Sequence, residues 1–136
     1  MSESSTKTFE TGQSASFSKT VTESDVYLFA GISGDFNPVH VNAEYAKNAM
    51  FKKPIAHGML TASFISTVLG TKLPGPGAIY VKQDLKFLAP VFFGDTLTAT
   101  CTVKEFIPEK KRIIMDCVVV NQDGTKVLAG EAMLLV

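Results

Sequence analysis

The chain has 136 residues, of which 46% are hydrophobic and 19% are charged, so it is long and apolar enough to form one domain with a substantial core. Its 13 basic and 13 acidic residues balance to a formal net charge of zero, which argues against a general binder of nucleic acid or of anionic membranes, because both need a basic excess. The polar, Ser-rich start lacks the apolar core of a signal peptide and no apolar stretch reaches the length of a membrane span, so we expect a cytoplasmic protein.

The first third of the chain predicts one strand and two helices. Residues 17–21 are typical of a short strand, and Thr22 then caps a helix over residues 23–32, whose first turn carries the negative charge that a helix N-terminus favours. Residues 33–41 contain glycine and proline and are predicted to form a loop. A second short helix is predicted over residues 43–50.

A third helix, over residues 58–69, differs from the other two. It is apolar or small almost all round and carries no charge until Lys72, and a helix without a solvated face is usually buried. The Pro-Gly-Pro-Gly run at 74–77 ends it. The remaining chain reads as four strands, from alternating polarity or β-branched runs; they cover residues 78–89, 96–106, 112–121 and 126–136.

This order of elements predicts an α+β fold in which a long antiparallel sheet wraps one buried helix. The second face and the edges of the sheet need cover, which a homodimer supplies most simply. We expect residues 1–136 to form a single domain, with residues 1–10 as a flexible tail. Cys101 and Cys117 lie in two strands joined by a turn, so we expect them roughly opposite each other as reduced thiols.

Asp35 and His40 lie five residues apart on a loop that Pro38 stiffens. Taken singly, Asp35 is best explained as a turn residue that bonds to its own backbone two residues on, and His40 as a half-buried histidine with one hydrogen bond. As a pair they indicate chemistry on water. A partly desolvated carboxylate has a raised pKa and becomes a better base, and an imidazole can share the same water. Asn37 is expected to orient the loop or one of the pair.

Gly58 opens the apolar helix, where a glycine is ordinary and can serve close packing alone. Its missing side chain would also let a substrate carbonyl approach the first free N–H groups of the helix. Such a donor, aimed at a developing enolate, stabilises the transition state by about 3–4 kcal/mol. His57 is expected to brace the turn rather than to perform chemistry. Ser66 by default bonds back to a helix carbonyl, although the small residues around it would let a ligand run alongside.

No phosphate-binding loop, dinucleotide fingerprint or cluster with metal-ligand spacing is present in the sequence, so we predict neither a cofactor nor a metal. Four lysines are best explained as solvated charges, with contact to the phosphates of a large substrate as the minority alternative; they are Lys52, Lys53, Lys82 and Lys86.

The run YLFAGISGDFNPVH at residues 27–40 resembles the signature of the (R)-specific enoyl-CoA hydratases, the MaoC-like or hydratase 2 family. PIAHGML at 54–60 and LKFLAPV at 85–91 are similar to the same family, and the similarity covers nearly the whole chain after residue 10. The Gly-Asp-x-Asn-Pro-x-His element is far more specific than a lone aspartate or histidine.

The resemblance implies a single hot-dog fold, a long central helix wrapped by a curved antiparallel sheet, paired as a homodimer or as a larger assembly of such dimers. It implies a hydro-lyase that reversibly adds water in syn geometry to trans-2-enoyl-CoA to give (R)-3-hydroxyacyl-CoA, with coenzyme A as part of the substrate. Asp35 and His40 match the catalytic pair of the family and Gly58 matches its donor to the thioester oxygen. Asn37 and Ser66 match auxiliary positions.

Three other functions stay open at this point. A dehydratase acting on 3-hydroxyacyl groups of acyl carrier protein would use the same chemistry, a hot-dog thioesterase would direct water at the carbonyl carbon, and a non-catalytic acyl-CoA module would need neither Asp35 nor His40. Loss of the enoyl-thioester absorbance, with thiol release as a control, separates them. The residues that limit acyl length are open as well, with Met59, Phe64, Leu69 and Leu88 as candidates.

Overall fold

The computed structural model describes residues 7–136. This part of the chain forms six strands, four α-helices and a 3-10 turn at Pro108–Lys110. The elements are, in chain order, β1 (Ser14–Thr20), α1 (Glu23–Ser33), α2 (Pro38–Val41), α3 (Ala43–Ala46), α4 (Gly58–Thr71), β2 (Ile79–Gln83), β3 (Lys86–Phe87), β4 (Thr96–Ile107), β5 (Arg112–Val120) and β6 (Lys126–Leu135).

All strands belong to one antiparallel sheet with the order β1-β4-β5-β6-β2, and β3 also pairs with β6. The helix α4 lies against β1, β4 and β5. Its inward residues pack into the alternating apolar face of these strands, and the shared core includes Ile65, Val68, Leu69, Leu97, Ala99, Ile113 and Met115. The structure therefore has the predicted arrangement of one long helix against an antiparallel sheet.

Helix α1 begins and ends as its sequence predicts. The Thr22 hydroxyl accepts from the Asp25 backbone N–H at 3.1 Å, and the Asp25 carboxylate accepts from the Thr22 N–H at 3.0 Å, which together form a capping box. Gly34 caps the C-terminus with φ 81°, in the left-handed region that glycine tolerates. The chain thus leaves α1 sharply, just before the Asp35 loop.

Several predicted boundaries are wrong. The first strand begins at Ser14 and not at residue 17, and α3 ends at Ala46, well short of the predicted residue 50. The segment 33–41 is not all loop, because Pro38 at the first helical position and the Asn37 cap form the helical turn α2. The predicted strand 78–89 is interrupted between β2 and β3, where Asp84 bonds across to β6 through both its N–H and its carboxylate. Its carbonyl lies so close to Gly130 that a Cβ there would be 1.9 Å from the oxygen.

The predicted absence of a solvated face on α4 is also wrong for the single chain. Met59, Ser63, Ser66 and Gly70 follow a three-to-four-residue spacing and are all exposed. The sheet covers only one side of the helix, so this stripe of mostly small side chains remains open beside β2. Helix α4 is apolar as predicted, but one copy of the chain buries it only in part.

The predicted placement of the two cysteines is confirmed. Cys101 and Cys117 are direct partners in the β4–β5 ladder, and both are buried free thiols. Of the predicted tail, residues 1–6 lie outside the described residues, while the Phe9 ring packs edge to face on Phe106 with centroids 5.3 Å apart. Among the helices of residues 7–136, none is long and apolar enough to cross a membrane.

Candidate active site

A cavity of about 560 Å³ opens where the loop between α1 and α2 meets the N-terminus of α4. Its polar lining comes from Asp35, His40, His57, Gly58 and Thr61. The remaining wall is mainly apolar and includes Phe51, Ile55, Ala56, Met59, Phe87, Leu88, Ala89, Pro90, Val91 and Val127. The structure therefore brings three residues predicted for the site, Asp35, His40 and Gly58, into one apolar cavity that suits an organic substrate.

Asp35 directly follows the left-handed Gly34 and sits in a tight turn. Its Oδ1 accepts from the Asn37 N–H at 3.1 Å, and its own N–H donates to the Ser33 hydroxyl at 3.1 Å. Asp35 thus makes the local bond that a loop aspartate is expected to make. It is exposed in the single chain, so the partial desolvation expected from the sequence is not provided by one copy of the loop.

Asn37 holds the loop through both its backbone and its side chain. The backbone N–H bonds the Asp35 carboxylate, and the side-chain Oδ1 accepts from the Val39 N–H at 3.2 Å to cap α2. Pro38 then begins the helical turn that carries His40. These contacts fix the direction of the Asp35 carboxylate relative to the short helix.

His40 is 8% exposed, and its Nδ1 lies 2.7 Å from the Ile55 carbonyl oxygen. A carbonyl can only accept, so Nδ1 carries the proton and Nε2 has the lone pair when the ring is neutral. Burial lowers the pKa of His40 below its ordinary value of 6.5; the bond to Ile55 acts the other way, the neighbouring His57 adds to the lowering, and Asp35 opposes it. His40 is therefore a neutral imidazole at pH 7.

Gly58 is the first residue of α4, where backbone N–H groups lack partners within the helix. A Cβ at this position would lie 2.6 Å from Cε1 of Phe87. The absence of a side chain therefore keeps both the helix start and the Phe87 ring in place at the cavity wall. A substrate oxygen can approach the helix terminus here because no side chain of residue 58 covers it.

Ser66 lies away from this group. It lines a second cavity of about 430 Å³ beside β2, together with Ser63, Tyr80 and Gln83. The two cavities share Met59 in their walls. The structure thus places Ser66 on the exposed stripe of α4, in a neighbouring space rather than with Asp35 and His40.

His57 has more contacts than the turn brace that the sequence predicts. Its ring is 2% exposed and stacks on His40, with centroids 3.9 Å apart and planes inclined by 30°. Its Nε2 lies 2.9 Å from the backbone oxygen of Asp35. The signal available in the sequence was a histidine directly before the helix-opening glycine, which does not by itself indicate this contact.

One ligand atom from each of Asp35, His40 and His57 lies within 4.8 Å of the others, a spacing that would suit a metal ion. The stacking of the two rings does not suit one. A metal bound by two imidazoles lies in both ring planes, whereas these rings stack face to face, with centroids 3.9 Å apart and planes inclined by 30°, so their planes do not meet at a metal–nitrogen bond length of about 2.1 Å. The group is better matched to hydrogen bonding with a water.

The class of protein follows from the fold and from the comparisons together. Residues 5–125 match the model of the MaoC like domain. The chain therefore belongs to the MaoC-like family, as its motifs predict.

Its relatives include named hydratases. The chain is 60% identical to an (R)-specific enoyl-CoA hydratase of Rhodospirillum rubrum, covering 92% of this chain and 86% of the relative. It is 45% identical to a 3-hydroxybutyryl-CoA dehydratase of Methylorubrum extorquens, covering 93% and 80%. A solved (R)-hydratase from A. caviae involved in PHA biosynthesis superposes with a TM-score of 0.92 at 39% identity, covering 96% and 98%. The predicted hot-dog fold and the predicted hydro-lyase class are confirmed.

Proposed function

We propose that this protein catalyses the reversible syn hydration of trans-2-enoyl-CoA to (R)-3-hydroxyacyl-CoA, with Asp35 and His40 as the pair that handles the water. One observation carries the assignment of these residues: Asp35, on its loop, and His40, on the adjoining helical turn α2, face the N-terminus of α4 across a single apolar cavity. The relatives named as hydratases and dehydratases support the same reaction run in its two directions.

The substrate is placed by its thioester carbonyl. Its oxygen accepts from the free N–H of Gly58, where the helix dipole favours the negative charge of an enolate. The conjugated C2–C3 bond then extends toward the Asp35 loop, along the apolar wall. A water between the Asp35 carboxylate and the His40 Nε2 can donate one hydrogen bond to each, because both groups present lone pairs when His40 is neutral.

The reaction balances within this pair. The water oxygen forms a bond to C3, the π electrons of C2–C3 move onto the thioester oxygen as an enolate, and one water proton passes to the pair. The enolate then collapses, and the pair returns a proton to C2 on the same face. Addition of water changes no oxidation state overall, so the chemistry needs no cofactor besides the coenzyme A that the substrate carries.

The same proposal includes the setting in which the enzyme works. Residues 1–136 act as one hot-dog domain in the cytoplasm, and two copies associate as a homodimer. Asn37 orients the Asp35 carboxylate, while Ser66 contributes through the neighbouring cavity rather than at the reacting carbons. Coenzyme A, rather than acyl carrier protein, is the preferred carrier, in keeping with the two relatives of highest identity among those described above.

The central test replaces Asp35 by asparagine. Asp35→Asn keeps an oxygen for the Asn37 N–H but removes the proton acceptor, so we expect hydration to fall by roughly 10²–10⁴-fold with the fold retained. Activity is followed as loss of the enoyl-thioester absorbance, with circular dichroism for the fold. Asp123→Asn, in the exposed turn after β5, is the matched control and should leave activity unchanged.

Three outcomes would contradict the proposal. Near-wild-type turnover by folded Asp35→Asn would remove Asp35 from the chemistry. Release of free thiol from acyl-CoA at the rate of absorbance loss would indicate a thioesterase instead. Faster turnover of the same acyl group on acyl carrier protein than on coenzyme A would contradict the proposal that coenzyme A is the preferred carrier.

A further inference from the structure

We propose that His57 is a positioning residue that sets the distance between the proton-handling loop and the carbonyl-binding end of α4. The inference rests on the function proposed above and concerns a residue outside the predicted catalytic pair. His57 belongs to both halves of the site. Its carbonyl accepts from the N–H groups of Leu60 and Thr61 at 3.1 and 3.3 Å and so starts α4, while its side chain reaches the backbone of Asp35, 22 residues earlier.

The bond to Asp35 fixes the tautomer of the ring. Nε2 of His57 lies 2.9 Å from the Asp35 backbone oxygen, and a carbonyl can only accept. Nε2 therefore carries the proton, and Nδ1 holds the lone pair in the neutral ring. The donated bond holds the residue that bears the carboxylate, rather than the carboxylate itself.

The second ring nitrogen of His57, Nδ1, makes no hydrogen bond within the described part of the chain, which is a cost of having a histidine at this position. Nδ1 of His57 is the one buried side-chain nitrogen or oxygen without a partner among residues 7–136. An unpaired buried polar atom costs about 1–3 kcal/mol, which an apolar ring would avoid. An apolar ring would, however, have no donor for the Asp35 carbonyl, so the bond made by Nε2 gives the reason for a histidine at this position.

The surroundings of the ring leave it little freedom. Phe29 packs on one part of it, with centroids 4.8 Å apart, and His40 stacks on it at 3.9 Å. The ring is 2% exposed. A buried ring packed against two others can transmit position, since it cannot change rotamer without displacing them. The Gly58 N–H, the Asp35 loop and the His40 ring are thereby held in one spatial relationship through His57.

Two amide variants separate this role from simple filling of space. The amide nitrogen of glutamine can take the place of the ring Nε2, whereas that of asparagine takes the place of Nδ1. His57→Gln therefore retains a donor for the Asp35 carbonyl and His57→Asn loses it. Since misplacement of a reacting group by about 1 Å costs about 10²-fold, we expect His57→Asn to lower kcat about 10–100-fold with KM within about threefold, and His57→Gln to stay within about threefold of wild type in both.

Equal losses of kcat in the two variants, or a loss confined to KM or to the folded fraction, would overturn the role. A second measurement does not depend on any variant folding. The chain has two histidines, so two-bond ¹H–¹⁵N spectra of the labelled wild type at pH 7.5 show only two rings. We expect the Nε2–H tautomer for one, His57, and the Nδ1–H tautomer for the other, His40; two rings of the same tautomer would refute the inference.

The two readouts keep this inference distinct from the proposed function. Wild-type protein without hydratase activity would refute the function, while the tautomers would still report whether His57 holds Asp35. If the wild type is active and the His57→Asn variant has the same kcat, the positioning role alone is refuted. Asp35→Asn then serves as the positive control for a loss of kcat.

Discussion

His40 and His57 each use one ring nitrogen to donate to a backbone carbonyl, and this arrangement decides where the exchangeable lone pairs are. For His40 the remaining nitrogen is Nε2, in a ring that burial keeps neutral at pH 7. A neutral imidazole next to a carboxylate presents two acceptors to one water, which is the requirement for removing a proton from it. Protonation of His40 would convert an acceptor into a donor and end that function.

The lowered pKa of His40 predicts a pH dependence of stability. His40 takes up a proton near pH 6.5 in the unfolded chain but stays neutral to lower pH in the folded protein. The contribution of His40 to the free energy of unfolding should therefore be complete above pH 6.5, and it should be lost as the pH falls from 6.5 through the pKa of the folded state. Urea unfolding between pH 8 and pH 4.5, at fixed protein concentration, measures this.

The matched variant is His40→Asn, because its amide can replace Nδ1 in the bond to the Ile55 carbonyl without titrating. We expect the difference between wild type and variant to shrink or reverse as the solution becomes acid. A difference that stays constant across the pH range would show that folded His40 titrates normally.

At this scale the sequence predicts the pair but not its support. Asp35 and His40 lie five residues apart, so a local motif places them on one short segment, the loop and the helical turn α2. The bond from His57 to Asp35 spans 22 residues and depends on how α4 docks against that loop, which no local pattern encodes. The exposure of the Asp35 side chain could not be predicted from the sequence either, because it depends on which other segments cover the loop.

Among the elements, α4 connects the core to the chemistry. Its inward face is buried with the sheet, and its N-terminus opens into the cavity. Apolar composition and the helix-opening glycine are local signals, and they predict both the helix and its first residue correctly. The break between β2 and β3 was not predicted, because the close approach of the Asp84 carbonyl to Gly130 is a contact between distant segments.

Gly58→Ala tests the open helix terminus. The added methyl would lie 2.6 Å from the Phe87 ring and over the N–H groups proposed to bind the thioester oxygen. Phe87 is 54% exposed and can shift, so we expect a stability loss of about 1 kcal/mol but a loss in kcat/KM of roughly 10²-fold. Thermal unfolding and the enoyl-thioester assay report the two effects separately.

Gly31→Ala is the control, since it adds the same methyl inside a helix where no described atom lies within 4 Å of it apart from the adjacent residues and the local helix backbone. It should gain up to about 1 kcal/mol of stability and keep its activity. An active Gly58→Ala enzyme would mean that the carbonyl binds elsewhere.

For the whole molecule, the two ends of the sheet differ in character. The β1 end carries a ladder of hydroxyl pairs, Ser16–Thr100, Ser18–Thr98 and Thr20–Thr96, with oxygens 2.7–2.8 Å apart. The β2 end exposes large apolar side chains instead, with Ile79 at 59% and Val81 at 47% exposure. An apolar edge strand is a site for pairing with another strand. The sequence predicts that the sheet needs cover, but which edge needs it follows only from the strand order.

The edge at β2 therefore predicts where two copies meet. The β2–β6 register skips Val81, so Val81→Lys leaves the ladder within the chain undisturbed. In a two-fold interface the same surface patch faces its own copy, and two buried ammonium groups would repel each other. We expect wild type to sediment at twice the chain mass and Val81→Lys to dissociate at least tenfold more readily, equivalent to about 1.4 kcal/mol.

Ser18→Lys, on the β1 edge, should sediment as wild type does. Sedimentation at several concentrations decides the matter: a monomeric wild type, or dissociation by Ser18→Lys rather than by Val81→Lys, would contradict the assignment of this edge.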